Sequence, residues 1–280
     1  VCLFTRVKQI TTTHDLMEWH SLKIFRYYKN RSLKENFYFF RQKAYLWAVY
    51  RLGLSFSDHV LTISQYSKRD ITQSFPKLKN KSSYVYHGIP RGFKPPLNDT
   101  SKQGVLMLGG DSHQKNPENM LKAWAQLPEE LQKAHPLTIL GFVGGEDSII
   151  SKTIRALGIE NDIVIKGWVT EDELIQAMQT SKVFIFASRE EGFGFPLVQS
   201  MASGTPVVTS EADVLIEIGQ DAICSAKAED FLALSSAVGS LLTDEQLYNE
   251  KVKKGLTISS KFTWEHTAEH IASTYLTLLK

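Results

Sequence analysis

Val183-Phe-Ile-Phe-Ala-Ser-Arg-Glu-Glu-Gly-Phe-Gly-Phe-Pro-Leu-Val-Gln-Ser-Met-Ala-Ser-Gly-Thr-Pro-Val-Val-Thr209 reads as strand, glycine loop, helix and strand in one passage. Val183 to Ala187 is continuously apolar, as expected of a strand covered on both faces. Pro196 and Leu197 start a short helix running to Ser203, and Gly204 ends it. Pro206 to Thr209 is the next strand. So compact a passage calls for a parallel sheet with right-handed crossovers. In an open sheet of this kind ligands bind beyond the carboxyl ends of the strands. The loop Ser188–Pro196 lies there. Gly192 and Gly194 let the backbone approach a ligand, and the helix start favours an anion. Glu191 can accept hydrogen bonds from two vicinal hydroxyls, and Gln199 sits in the first helical turn. These residue types suit a ligand bearing hydroxyls and phosphates. The plain alternative is a tight turn with solvated carboxylates, because glycine-rich turns are common.

Outward from this passage the alternation continues. Strands are expected at Gly104–Gly109, Leu137–Val143 and Asp162–Lys166. Between them, Asn116 and Pro117 read as N-cap and first residue of a helix. Ser148 to Leu157 reads as a helix closed by Gly158. Thr170 and Glu173 form a capping box for a helix to about Thr180. From about Ala228 the chain reads as mostly helical. The first hundred residues repeat the pattern thinly, with strands at Gln9–Thr13, His59–Ile63 and Ser82–Tyr86, and Ser64 capping a helix through about Ser74. Ile89 to Lys102, with three prolines, reads as a linker. The expected class is therefore α/β with parallel sheets.

Composition narrows the function classes. The 280 residues carry a net charge of only +2 and are 42% hydrophobic. That is ordinary globular material and gives no bulk-charge argument for nucleic acid. The two cysteines, Cys2 and Cys224, have no metal-ligand spacing, and a reducing compartment is expected. No apolar run approaches the ~20 residues that span a bilayer. The opening Val-Cys-Leu-Phe-Thr-Arg lacks an initiator methionine and a signal-peptide core, which suits a processed or truncated chain.

Three further constellations stand out. Gly109-Gly110-Asp-Ser-His-Gln-Lys115-Asn116-Pro117 follows a strand, with Lys115 beside a helix start and placed to neutralise phosphate. His14-Asp15 ends a strand in the first half; a lone histidine is more often structural, but strand ends are where clefts form. Residues 23–51 hold eight Lys or Arg, one Glu and ten aromatics. That stretch reads either as an ordinary amphipathic helix or as a surface for anionic lipid.

Glu191-Gly-Phe-Gly-Phe-Pro and Ser203-Gly-Thr-Pro-Val-Val208 resemble the signature of the retaining glycosyltransferases of GT-B fold, the "glycosyl transferases group 1" family. Gly109-Gly110 with Lys115-Asn116 is similar to that family's Gly…Lys-Asn loop. Gly167-Trp-Val, Glu173-Leu174 and Val183 to Ser188 resemble its nucleotide-side elements. Thr13-His-Asp15 and Thr62 to Asp70 resemble its N-terminal landmarks. The resemblance implies two Rossmann-like domains facing a cleft: residues 1–100, acceptor-side and incomplete, and residues 101–280, binding the nucleotide sugar, with terminal helices of which the last crosses back. It implies Glu191 and His14 at the transferred sugar, the former holding its hydroxyls. Gly109, Gly110, Lys115 and Asn116 would bind the diphosphate side, with Lys115 stabilising the leaving group. Gly192, Phe193, Gly194 and Phe195 would lend backbone amides, and the loop through Val169 would cradle the base. No metal or cofactor is implied beyond the nucleotide-diphosphate sugar itself.

Against the family pattern, Gln199 stands where a second glutamate usually holds the ribose, and Gly110 stands where an arginine often helps bind phosphate. Glutamine still accepts, but as a neutral group it binds more weakly. The first βα units, with their glycine-rich loop, have no counterpart here, so either the sequence is a fragment or a partner chain completes the first domain. The expected activity is transfer of a hexose, mannose by first choice, to a glycan or lipid-linked acceptor at the cytoplasmic membrane face. The alternatives are a non-catalytic nucleotide-sugar-binding subunit and, fitting less well, a GT-B-like epimerase.

Overall fold

The computed structural model describes residues 7–17, 19–20, 33–97 and 101–279. The chain divides into two compact units, one of Val1–Gly88 with Trp264–Lys280, the other of Ile89–Thr263.

The first unit holds three parallel strands, β1 (Ile10–Thr12), β2 (His59–Thr62) and β3 (Ser82–Tyr84), side by side in chain order. Helix α1 (Leu33–Ala48) continues through a π turn, Val49–Gly53, into a last turn, Leu54–Phe56. Residues 21–32, which open the basic aromatic stretch, lie outside the described residues. Helix α2 (Gln65–Ser74) begins as expected: Ser64 Oγ accepts from the Ser67 amide at 3.0 Å. Leu16, Leu54, Val60, Ile71, Phe75 and Leu78 form this unit's core, with Trp19 and Tyr50 against it.

The second unit is a six-stranded parallel sheet. Its strands are β4 (Val105–Leu108), β5 (Leu137–Leu140), β6 (Ile163–Lys166), β7 (Val183–Phe186), β8 (Val207–Ser210) and β9 (Cys224–Ala226), in the order β6-β5-β4-β7-β8-β9. This is the doubly wound order, and the winding reverses between β4 and β7. Burial follows position. Central β7 is buried at every residue, whereas on edge strand β6 Val164 and Ile165 are each 45% exposed. Helices α3 (Pro117–Ala125), α4 (Glu129–Ala134), α5 (Ile149–Leu157), α6 (Glu171–Thr180), α7 (Phe195–Ala202), α8 (Asp213–Gly219), α9 (Phe231–Thr243) and α10 (Glu245–Ser259) surround the sheet in sequence. The last helix, α11 (Trp264–Leu279), belongs to the first unit. Fully buried Trp124 anchors one face, its indole N–H donating to the His135 carbonyl at 3.2 Å.

The expected caps at Thr170 and Gly158 form, and Ser148, expected as the first helical residue, is instead the N-cap. At Thr170 the box is reciprocal: Thr170 N–H donates to Glu173 Oε2 at 2.7 Å, and Glu173 N–H to Thr170 Oγ1 at 3.3 Å. Those bonds hold the Glu173 carboxyl below its ordinary range. Asn116 differs from expectation. It occupies the N-cap position in a left-handed conformation, φ 57°, and its side chain caps nothing. Helix α7 starts one residue earlier than expected, with Phe195 first and Pro196 second. Helices α4 and α8 and strand β9 are not foreshadowed by the apolar pattern. β9, Cys-Ser-Ala, has no apolar run; it joins as the outermost strand of a sheet already built.

Candidate functional site

The loops after β4 and β7 leave adjacent strands on either side of the point where the winding reverses. Hydrogen bonds hold them together. Arg189 N–H donates to the Gln114 carbonyl at 2.8 Å, and Gln114 Nε2 donates to the Glu190 carbonyl at 2.9 Å. Arg189 Nη1 reaches the His113 carbonyl, and its Nε pairs with Glu229 at 3.0 Å. Asn116 is fully buried. Its Nδ2 donates to the carbonyls of Ala187 at 2.9 Å and Ala228 at 2.7 Å, while its Oδ1 accepts from Asn119 at 2.8 Å. The side chain thus ties the first loop to β7 and to the segment after β9.

Lys115 and Glu191 meet where these loops converge. Lys115 Nζ lies 2.7 Å from Glu191 Oε1. The carboxylate side chain is 10% exposed and the lysine 38%. Two glycines shape the approach. A Cβ on Gly109 would stand 2.5 Å from the Cβ of Phe142, so the strand end admits only glycine, and one on Gly110 would stand 2.6 Å from Lys115 Cγ. The lysine stem thus passes over Gly110, in the space an arginine there would contest.

On the second loop Gly194 has φ +89°, and a Cβ would meet Leu215 at 2.8 Å. This left-handed residue turns the chain into α7. Phe193 is buried, edge-on to Phe195 at 5.0 Å and to Phe262 at 5.7 Å between ring centroids. Gln199 is half-buried on α7. Val169, half-buried beyond β6, lines a groove with Leu106, Thr138, Leu140 and Lys166. None of the residues at 109–116 or 188–199 lines that groove.

His14 belongs to the first unit. It is exposed, and its ring meets His87 edge-on at 5.3 Å; His87 in turn lies 5.4 Å from Trp264. Burial first, and then the neighbouring His14, lowers the basicity of His87. Sequence reasoning missed His87 and Arg189. The signal for His87 was its place just after β3, matching that of His14 just after β1. Among the described residues no three His, Cys, Asp or Glu side chains are grouped to hold a metal ion.

A family model described as "Glycosyl transferases group 1" matches residues 90–258. The chain is 27% identical to O-antigen chain mannosyltransferase B of Escherichia coli, over 96% of this chain and 70% of that protein. It is 31% identical to the serotype-specific mannosyltransferase WbdA of Escherichia coli over 60% of this chain, but it spans only 21% of that protein. Among solved structures, WaaG, a glycosyltransferase involved in lipopolysaccharide biosynthesis, superposes with a TM-score of 0.74 at 14% identity, covering 98% of this chain and 76% of WaaG. Anabaena Alr3699/HepE in complex with UDP and glucose gives a TM-score of 0.74 at 19% identity, over 96% of this chain and 72% of that one. At these identities the structural likeness speaks for the fold.

Proposed function

The chain belongs to the glycosyl transferases group 1, and on that premise we propose that it moves a hexose from a nucleotide-diphosphate sugar to a glycan or lipid-linked acceptor, with retention at the anomeric carbon. Mannose is the first candidate, supported by the mannosyltransferase names of its relatives. The observation that carries this reading is the 2.7 Å pairing of Lys115 with Glu191 at the reversal of the sheet. The pairing sets a cation suited to a diphosphate beside a carboxylate suited to sugar hydroxyls.

In this reading Lys115 turns from Glu191 to the diphosphate. Glu191 takes the sugar hydroxyls, and the backbone of residues 192–195 lends amides at the start of α7. Charge on the leaving diphosphate grows in the transition state, so donors already in position lower the barrier. Val169 and Gln199 are proposed for base and ribose. The test is transfer from a panel of nucleotide-diphosphate hexoses to a lipid-linked or oligosaccharide acceptor, with Glu191→Ala as control. Turnover that Glu191→Ala abolishes is the expected result. Saturable donor binding without turnover on any acceptor would instead favour a non-catalytic nucleotide-sugar-binding subunit, the reading that Gln199 motivates.

We also propose a peripheral contact with an anionic membrane through the stretch 23–51, at the cytoplasmic face. Its described part exposes Phe40, Tyr45 and Trp47 beside Arg41. No described helix is long and apolar enough to cross a bilayer.

A further inference from the structure

A second cluster of donors lies wholly within the first unit, away from the residues assigned above. Lys68 of α2, Ser83 and Tyr84 of β3, Tyr86 beyond it, and His266 and His270 of α11 line a pocket of about 320 Å³. Behind them His59 Nε2 lies 2.8 Å from Ser83 Oγ. Tyr84 and Tyr86 form an aromatic wall, with ring centroids 5.4 Å apart. No carboxylate lines the pocket, and among the described residues none pairs with Lys68 or His270. The basic groups act on one another: burial first, then His270 and Lys68, makes His59 harder to protonate.

A concave site lined by groups of one sign focuses positive potential and concentrates anions. Ammonium, imidazole and hydroxyl groups around one space offer charge-assisted hydrogen bonds to several oxygens of one ligand. We propose that this pocket binds a phosphate-bearing anion, distinct from the donor's diphosphate. Lys68 supplies its charged contact, His270 an imidazole hydrogen bond, and Ser83, oriented by His59, a hydroxyl.

The experiment titrates the intact chain, carrying Lys115→Ala so that the first phosphate-binding candidate is silent, with inorganic phosphate at low ionic strength. NMR signals of the His59 and His270 imidazoles report occupancy, with chloride at matched ionic strength as control. Saturable shifts absent in chloride are expected. Lys68→Gln should weaken binding about tenfold, as for loss of one charge-assisted hydrogen bond, with an unchanged circular dichroism spectrum. Shifts that chloride reproduces, or an affinity untouched by Lys68→Gln, would overturn the proposal. A parallel titration with a hexose 6-phosphate identifies the source. Tighter binding than phosphate assigns the site to a phosphorylated sugar, and equal binding assigns it to the free anion. Either result leaves the donor-site reading to be judged on its own assay.

Discussion

Lys115 and Glu191 each satisfy the other's charge at 2.7 Å, and in the proposed reading each exchanges that partner for the donor. An ion pair this exposed on the lysine side contributes only about 1 kcal/mol or less to stability, which makes the exchange inexpensive. Substituting Glu191→Ala is expected to lower kcat/KM by roughly 10²-fold or more, and Lys115→Ala by a similar factor, the usual loss for a preorganised transition-state contact. Steady-state kinetics of the two single variants and the double variant check this. Because the residues contact each other, the double variant should lose less than the product of the two factors. Gln199→Glu should tighten nucleotide-sugar affinity about tenfold if it holds the ribose, as a charged acceptor outbids a neutral one. Calorimetric titration reads this directly, and an unchanged Kd would mean that Gln199 does not touch the ribose. Lys115, Glu191 and the loop glycines were legible in the sequence as residue types following strands. The roles of Asn116 and Phe193 were not. Their burial depends on Ala228 and on Phe262, neighbours remote in sequence.

The elements place these residues by backbone geometry. Gly194 carries the chain into α7 at φ +89°, with Leu215 where a Cβ would stand. Gly194→Ala is therefore expected to destabilise the second unit by about 1–3 kcal/mol from backbone strain alone, with the contact adding to it. Thermal or urea denaturation measures this, and a wild-type midpoint would contradict the geometry. Asn116→Ala would leave two carbonyls without their donor, at a cost of about 1–3 kcal/mol. The boundaries of α2, α5 and α6 were legible because capping is local. Ser64, Ser148, Thr170 and Gly158 all act within a few residues of themselves. β9 was not, since Cys224–Ala226 is a strand only because β8 offers it a ladder. The reversal of winding between β4 and β7 was likewise beyond local pattern. Alternating strands and helices announce a parallel sheet, but strand order is fixed by which crossovers pack on which face.

At the scale of the whole chain, pH-dependent stability tests the packing of the second unit. Lys102 donates to Thr205 Oγ1 at 2.6 Å and to the Ser203 carbonyl at 3.2 Å, beyond the end of α7. Burial, and then Lys182, lowers its pKa from 10.5 to about 8. Between those values the unfolded chain holds a proton that the folded chain has released, so stability rises with pH through that window. Buried Tyr248, pushed up to about 12, opposes this only once an unfolded tyrosine begins to ionise, at the upper end. Lys102→Met should flatten the rise, as measured by chemical denaturation on either side of the window; an undiminished rise would place its source elsewhere. The central claim concerns the second unit's loops as a nucleotide-diphosphate-sugar site. Its most direct test is calorimetric titration of the chain, and of its Lys115→Ala variant, with GDP-mannose and other nucleotide-diphosphate hexoses. Saturable binding of at least one donor, weakened about tenfold or more by Lys115→Ala, is the predicted result. Absence of binding across the panel, or binding that the variant retains in full, would contradict it.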